Sequence, residues 1–269
     1  MVSYFPESLR EALRIRALGG AIPYGGGTDL MIDADSNASY IFLHRVPEMR
    51  EIKRDGGNIR IGASCTFTET AESPLCPPIL RDAIMQIAAP AIRNLGTIGG
   101  NIGNGSPKAD SALIFFAADA KLRLMSAESE RIIPIKEFYL GRKKLALRPD
   151  ELIVEVIMPD PKRYYYRKVG AREALAISRV AFAGIFEEAD GIIKNCAVAF
   201  GAVSDVIIRR EDIDTVFIGK TIDEAKKLKA GYISAYDAAI VPIRGRVSEE
   251  YRKDVCMNLL RDFLETMGI

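Results

Sequence analysis

One histidine, four scattered cysteines and almost no net charge define what this 269-residue chain does without. Cys65, Cys76, Cys196 and Cys256 form no CxxC pair, and His44 stands alone. That inventory supplies neither a zinc ligand set nor the four thiolates of an iron–sulfur cluster, so no metal centre is expected in this chain. Lys and Arg number 37 against 36 Asp and Glu, with no block of one sign. Such a balance gives no field to attract nucleic acid or an anionic membrane. The longest apolar run, ALIFFAADA from Ala112, is far too short for a membrane span, and MVSYFPESLREAL lacks the basic and then apolar regions of a signal peptide. A cytoplasmic location with reduced thiols is the expectation. Also missing are a GxGxxG opening a helix after a strand and a GxxxxGK followed by Ser or Thr, which excludes the Rossmann and P-loop modes of nucleotide binding.

What is present is enough hydrophobic residue, 48%, to build a large core in two domains. Residues 6–18 read as a helix, with Pro6 suited to its first turn and Leu9, Ala12, Leu13 and Ala17 on one face. Strands follow at 21–24 and 40–43, closing a small α/β unit near Arg54. A second unit starts with a strand at 58–62, helices at 67–72 and 78–88, and a glycine-rich segment that Pro90 and its many glycines predict to be a long loop. Helical character resumes at 111–118, and strands are expected at 121–125, 131–135 and 152–158. The last third reads as antiparallel strands at 164–169, 177–186 and 192–203, with Asp190-Gly191 in a hairpin turn, followed by helices. Strands followed by helices indicate a separate α+β domain. The expected organisation is therefore 1–162, subdivided into 1–54 and 55–162, and then 163–269.

Two segments concentrate glycine beside small hydroxyl and amide residues: GGGTDL at 25–30 and IRNLGTIGGNIGNGSPKAD at 92–110. Stripping away side chains lets backbone N–H groups approach an anion, and two such loops suit a diphosphate cofactor held from two sides. Thr28, Thr97 and Asn101 add side-chain donors. Six other residues are read as structural: Arg93 fixing backbone carbonyls, His44 at a strand end, Cys65 as a packing thiol, and the three tyrosines 164–166, which alternate between strand faces.

In order along the chain, PESLREAL, GGGTDL, NIRIGASCTFTE, IRNLGTIGGNI with SPKAD, ELIVEVIMP, YYYRKVGAREALAISRVA and RGRVSEEYRKDV resemble the flavoprotein, or medium, subunit of the molybdenum hydroxylases, the group of xanthine dehydrogenase and aerobic carbon monoxide dehydrogenase. The resemblance implies an α+β fold: a two-subdomain FAD-binding domain of the PCMH type (vanillyl-alcohol-oxidase-like), and a smaller C-terminal α+β domain of the CO dehydrogenase flavoprotein type. It places Gly25, Gly26, Gly27, Thr28, Asp29 and Leu30 in a first FAD loop and Thr97, Ile98, Gly99, Gly100 and Asn101 in a second. It sets Asp110 on a ribose or ribityl hydroxyl of FAD, and Ile153 and Lys168 near the flavin ring, where an ammonium favours reduced flavin by Coulomb attraction. No catalytic side chain and no covalent flavin link are implied.

The implied function is electron transfer, from [2Fe–2S] clusters of a partner subunit through FAD to NAD or another acceptor. Partners are a small [2Fe–2S] subunit and a large molybdopterin subunit, in a dimer of heterotrimers. Relatives that reduce hydroxybenzoyl thioesters carry an additional cysteine-bearing insert, which the spacing of the four cysteines here does not offer. Two alternatives stand beside this reading. One is a flavoenzyme similar to UDP-N-acetylenolpyruvoylglucosamine reductase, although its NAGAYG-like and YRxSxF-like strings are replaced here by NIGNGSP and YYYRKVG; the other is a flavin-free interaction module of the same fold.

Overall fold

The computed structural model describes residues 2–269, which gather into two compact units. The first is built from residues up to Cys76, Ile87–Ser106 and Asp119–Asp160. Its N-terminal part is a three-stranded parallel sheet in the order Ser3–Tyr4, Ser39–Phe42, Ala21–Tyr24. Pro23 is tolerated because Ala21–Tyr24 is an edge strand, where a missing N–H costs no ladder bond. Helix Leu9–Ala17 packs on this sheet through buried Ala12 and Leu13, and Ser8 caps it by accepting from the Glu11 N–H at 3.3 Å.

A five-stranded antiparallel sheet completes the unit, in the order Ile52–Asp55, Asn58–Gly62, Leu152–Pro159, Lys121–Met125, Glu130–Pro134. The central strand, Leu152–Pro159, is an apolar run apart from Glu155, and it is buried on both faces. Glu155 is held there by ion pairs with Arg60 and Arg123, consistent with the rule that buried charge is paired.

The second unit comprises Pro77–Gln86, Pro107–Ala118 and Pro161–Ile269. Its four-stranded antiparallel sheet runs Tyr164–Val169, Val180–Ala189, Ile192–Gly201, Ile208–Arg209. Asp190 (φ 54°) and Gly191 (φ 73°) make the hairpin turn with both residues left-handed, the backbone that a right-twisted hairpin favours. Strand alternation sends Phe182, Phe186, Val198 and Phe200 into a core closed by Tyr232 and Tyr236 of helix Ile222–Ala239 and by Leu260, Phe263 and Leu264 of helix Glu249–Met267. Gly184 is required here, since a Cβ would meet the Phe263 ring at 2.5 Å. Helix Asp110–Ala117, all of whose residues are buried, lies on the strands Val180–Ala189 and Ile192–Gly201, and Pro78–Met85 packs beside it.

The glycine-rich segment departs from the expected long loop. Pro90 opens a short helix, Pro90–Arg93, in place of ending one, and Ile98–Gly103 is helical despite three glycines in six residues. Glycine is a poor helix former. The turn forms because Thr97 caps it and because its first amides find carbonyls elsewhere in the unit.

Candidate functional site: a cavity between two glycine segments

The edge strand Ala21–Tyr24 delivers the chain into residues 25–30. The Met31 N–H donates to the Gly27 carbonyl (2.9 Å) and the Ile32 N–H to the Asp29 carbonyl (3.1 Å), which curls the segment into a turn. Among the described residues, no backbone acceptor takes the N–H groups of Gly25, Gly26, Gly27, Thr28, Asp29 or Leu30. Six consecutive amides with no backbone acceptor among the described residues are donors in need of a ligand or solvent. Gly27 has φ 70°, a conformation that glycine adopts without strain.

The second segment meets the first backbone to backbone. A Cβ on Gly26 would collide with the Leu95 carbonyl, and one on Gly25 would lie 2.5 Å from Thr97 Oγ1 and 3.5 Å from Gly100 Cα. The amides of this segment are used differently from those of the first. The Ile98 N–H donates to the Cys65 carbonyl (3.0 Å), the Gly99 N–H to the Ala63 carbonyl (2.7 Å), and the Gly100 N–H to Thr97 Oγ1 (3.1 Å). The N–H groups of Ile98, Gly99 and Gly100 are thus satisfied internally, while the Thr97 hydroxyl, which accepts from Gly100, keeps its hydrogen to donate.

Between the segments lies a cavity of about 500 Å³, within the usual range for small-molecule sites. Eleven of the fourteen sequence-predicted residues line it: Gly25, Gly26, Gly27, Thr28, Asp29, Leu30, Thr97, Gly99, Gly100, Asn101 and Ile153. Ile98 is fully buried and does not line it. Asp110 and Lys168 belong to the second unit, where they pair with each other at 2.8 Å. Burial pushes the Asp110 carboxyl up, against the opposing pull of Lys168 and the Ser178 hydroxyl.

Pattern reading did not find the other walls. Ile22, Leu43, Met49, Phe67, Leu147 and Leu152 are apolar, and Arg16 and Lys143 are cationic. Arg16 donates to the carbonyls of Ala21 (2.8 Å) and Glu151 (3.2 Å), and burial lowers its guanidinium pKa, with Asp150 opposing. None of these belongs to a glycine motif. Arg16 looks like one more polar residue on an amphipathic helix, and Lys143 like a turn lysine.

A second cavity of about 600 Å³ shares Gly25, Gly26, Ser64 and Thr97 with the first, and is walled by Tyr24, Phe42, His44, Arg50 and Glu69. His44 makes edge contacts with Phe42 and Phe5. Arg93 donates to the carbonyls of Ile87 (2.8 Å) and Ala88 (2.9 Å). Cys65 is buried, and burial pushes its thiol up to about 12, which makes it unreactive at neutral pH. Among the described residues no group of three His, Cys, Asp or Glu side chains could hold a metal ion, and no helix is long and apolar enough to cross a membrane.

Unbonded amides, a capping hydroxyl, two cations and apolar walls are the donor set and surface that a dinucleotide with an aromatic ring requires, so the residues present fit FAD. Residues 1–161 match the family model of the FAD binding domain in molybdopterin dehydrogenase, and residues 164–267 that of the CO dehydrogenase flavoprotein C-terminal domain. The xanthine dehydrogenase FAD-binding subunit of Escherichia coli O157:H7 is 35% identical over 196 residues, 68% of this chain and 67% of that protein. The carbon monoxide dehydrogenase medium chain of Hydrogenophaga pseudoflava is 29% identical over 206 residues, 74% of this chain and 70% of its own. In three dimensions the chain is similar to one of reconstituted CO dehydrogenase from Oligotropha carboxidovorans, with a TM-score of 0.89, 26% identity, and coverage of 98% of this chain and 96% of that one. With both family models matched in order, the UDP-N-acetylenolpyruvoylglucosamine reductase alternative is not favoured. The chain belongs to the FAD-binding family of the molybdopterin dehydrogenases, as an oxidoreductase flavoprotein subunit of the medium-chain type.

Proposed function

We propose that this chain is the exit station of a cytoplasmic molybdenum hydroxylase, taking electrons from [2Fe–2S] clusters on a small partner subunit and delivering them to NAD or another acceptor. A large molybdopterin subunit oxidises the substrate, and the assembly is a dimer of heterotrimers. When bound, FAD supplies the two-electron redox chemistry of this chain. The observation that supports the reading best is the run of unbonded amides at residues 25–30 facing a cavity walled by the second glycine segment.

In this proposal the amides of residues 25–30 and the Thr97 hydroxyl hold the pyrophosphate, and the apolar wall around Ile153 excludes water from the ring. Ile98 supports the second segment from beneath. Asp110 accepts from a ribose or ribityl hydroxyl, and Lys168 places its positive charge near the flavin ring. Both Asp110 oxygens already accept one hydrogen bond, yet each keeps a further lone pair for a ligand hydroxyl.

The test is co-expression with the two partner subunits. The purified complex is expected to show the visible bands of oxidised flavin, to release FAD on acid precipitation, and to lose those bands when reduced by its substrate. A complex that stays colourless after incubation with excess FAD, or a flavin that substrate never bleaches, would refute the proposal.

A further inference from the structure

The two cavities of the first unit meet at four residues, Gly25, Gly26, Ser64 and Thr97. Three of them belong to the glycine segments, and Ser64 belongs to neither. It is only 4% exposed, yet its hydroxyl has no hydrogen-bond partner among the described residues. The other buried serines differ: Ser126 Oγ lies 3.0 Å from Ser129 Oγ, Ser178 Oγ donates to Asp110 at 2.6 Å, and Ser111 is also partnered. Ser64 Oγ is not among the sealed side-chain atoms that lack a partner, so the surface it keeps opens on the cavities it lines.

Ser64 stands in a turn just past strand Asn58–Gly62, where the Cys65 N–H donates to the Gly62 carbonyl at 3.0 Å. Its own N–H donates to the Met49 carbonyl and the Ala63 N–H to that of Val154, both at 2.8 Å. The turn is also joined to the second glycine segment. The Ala63 and Cys65 carbonyls accept from Gly99 and Ile98, Thr66 pairs with Thr97 in an antiparallel bridge, and the Phe67 N–H donates to the Gly96 carbonyl at 2.9 Å. Bonds to three neighbouring segments fix where the backbone carries the hydroxyl. A donor held in this way loses little entropy when a ligand takes its hydrogen.

We propose that Ser64 is a further FAD-binding residue, its hydroxyl donating to a pyrophosphate oxygen where the two cavities meet. The inference rests on the proposed pyrophosphate site at residues 25–30 and Thr97, and adds a residue outside both glycine motifs. Gly25, Gly26 and Thr97, which share the junction with Ser64, are residues that hold the pyrophosphate in that proposal. A hydrogen bond to an ionised oxygen is about twice as strong as one between neutral groups, which favours a phosphate over the neutral hydroxyls and ring edges of the ligand. Until that bond is made, a buried hydroxyl without a partner is a cost to the folded chain.

The experiment compares wild type, Ser64→Ala, Ser64→Cys and Thr97→Ala as full chains. FAD binding is read by quenching of flavin fluorescence. Binding of ADP, which carries the pyrophosphate without a flavin, is read by its displacement of FAD, and thermal unfolding is followed without ligand. Ser64→Ala is expected to weaken FAD and ADP by a common factor of about ten. Its ligand-free melting temperature is expected not to fall, since the removed hydroxyl has no partner in the free chain; a serine of merely structural role would lose stability and affinity together. If Ser64→Ala does not fold, Ser64→Cys, a weaker donor of similar shape, is expected to show a smaller loss of affinity of the same sign. Wild-type affinity in Ser64→Ala while Thr97→Ala weakens both ligands overturns the role of Ser64 alone. So does a loss confined to FAD, which would set the hydroxyl on the flavin half, or a loss matched by a fall in melting temperature. Wild-type affinity in both variants, or failure of excess ADP to displace FAD from wild type, overturns the pyrophosphate placement and this inference with it; a wild-type chain that binds no FAD overturns the site.

Discussion

Replacing the glycines of the second segment by alanine, one at a time, separates packing from ligand contact, because their surroundings differ. At Gly99 a Cβ would lie 2.6 Å from Ala63 Cβ and 2.8 Å from the Ala63 carbonyl oxygen, the same oxygen that accepts the Gly99 N–H at 2.7 Å. The backbone there cannot yield without breaking that bond. Overpacking costs about 1–3 kcal/mol and the bond about 0.5–1.5, so Gly99→Ala is expected to lose about 2–4 kcal/mol. At roughly 2–4 °C per kcal/mol, that lowers Tm by about 4–16 °C.

Gly103 is the control. Its Cβ would find only Ile153 Cδ1, at 3.8 Å, which is ordinary contact, and alanine in a helix gains about 0.5–1 kcal/mol over glycine. Gly100 lies between these cases, since its Cβ would be 2.8 Å from the Thr97 hydroxyl, the atom that caps the helix and is proposed to face the pyrophosphate. A hydroxyl can rotate away, so Gly100→Ala is expected to fold with a loss of about 1 kcal/mol while its FAD affinity falls by an order of magnitude or more. Differential scanning calorimetry and quenching of flavin fluorescence measure the two effects. Equal melting temperatures for Gly99→Ala and Gly103→Ala, or wild-type affinity in Gly100→Ala, would refute the reasoning.

Thr97→Ala is expected to cost about 1 kcal/mol of stability through the lost cap and to weaken FAD binding, with Thr97→Ser retaining both, by the same two measurements. Asp214 is a buried hub that accepts from the Val198 N–H, the Tyr232 and Tyr236 hydroxyls and Arg209. Burial, with Arg209 opposing, raises its pKa from 3.8 to about 6. The folded state then binds the proton more tightly than the unfolded one. The resulting stability is full below about 3.8 and is lost as pH rises through about 6. Relative to wild type, Asp214→Asn is therefore expected to be more favourable at pH 7 than at pH 4.5 in urea unfolding; an invariant difference would count against that sign.

Local patterns settled much of this protein. Strands at Asn58–Gly62, Lys121–Met125 and Tyr164–Val169 fall where alternation predicts them, and both glycine segments, singled out by composition, line one cavity. The ordered motifs also named the family, because side-chain-free backbone and capping hydroxyls are written directly in residue type. Only the tertiary structure decided how those residues are used. Ile98–Gly103 is helical because its amides reach the Ala63 and Cys65 carbonyls more than thirty residues away, an interaction that no propensity encodes. The same bonds occupy the Ile98 and Gly99 amides, whereas the amides of residues 25–30 have no backbone acceptor among the described residues. Helix Asp110–Ala117, apolar on every side, announces burial but not its destination, the sheet of residues 164–209. Asp110, Lys168 and Ser178 are each unremarkable polar residues in the chain; folding makes them one hydrogen-bonded cluster, because a buried charge must find its partners wherever the packing brings them.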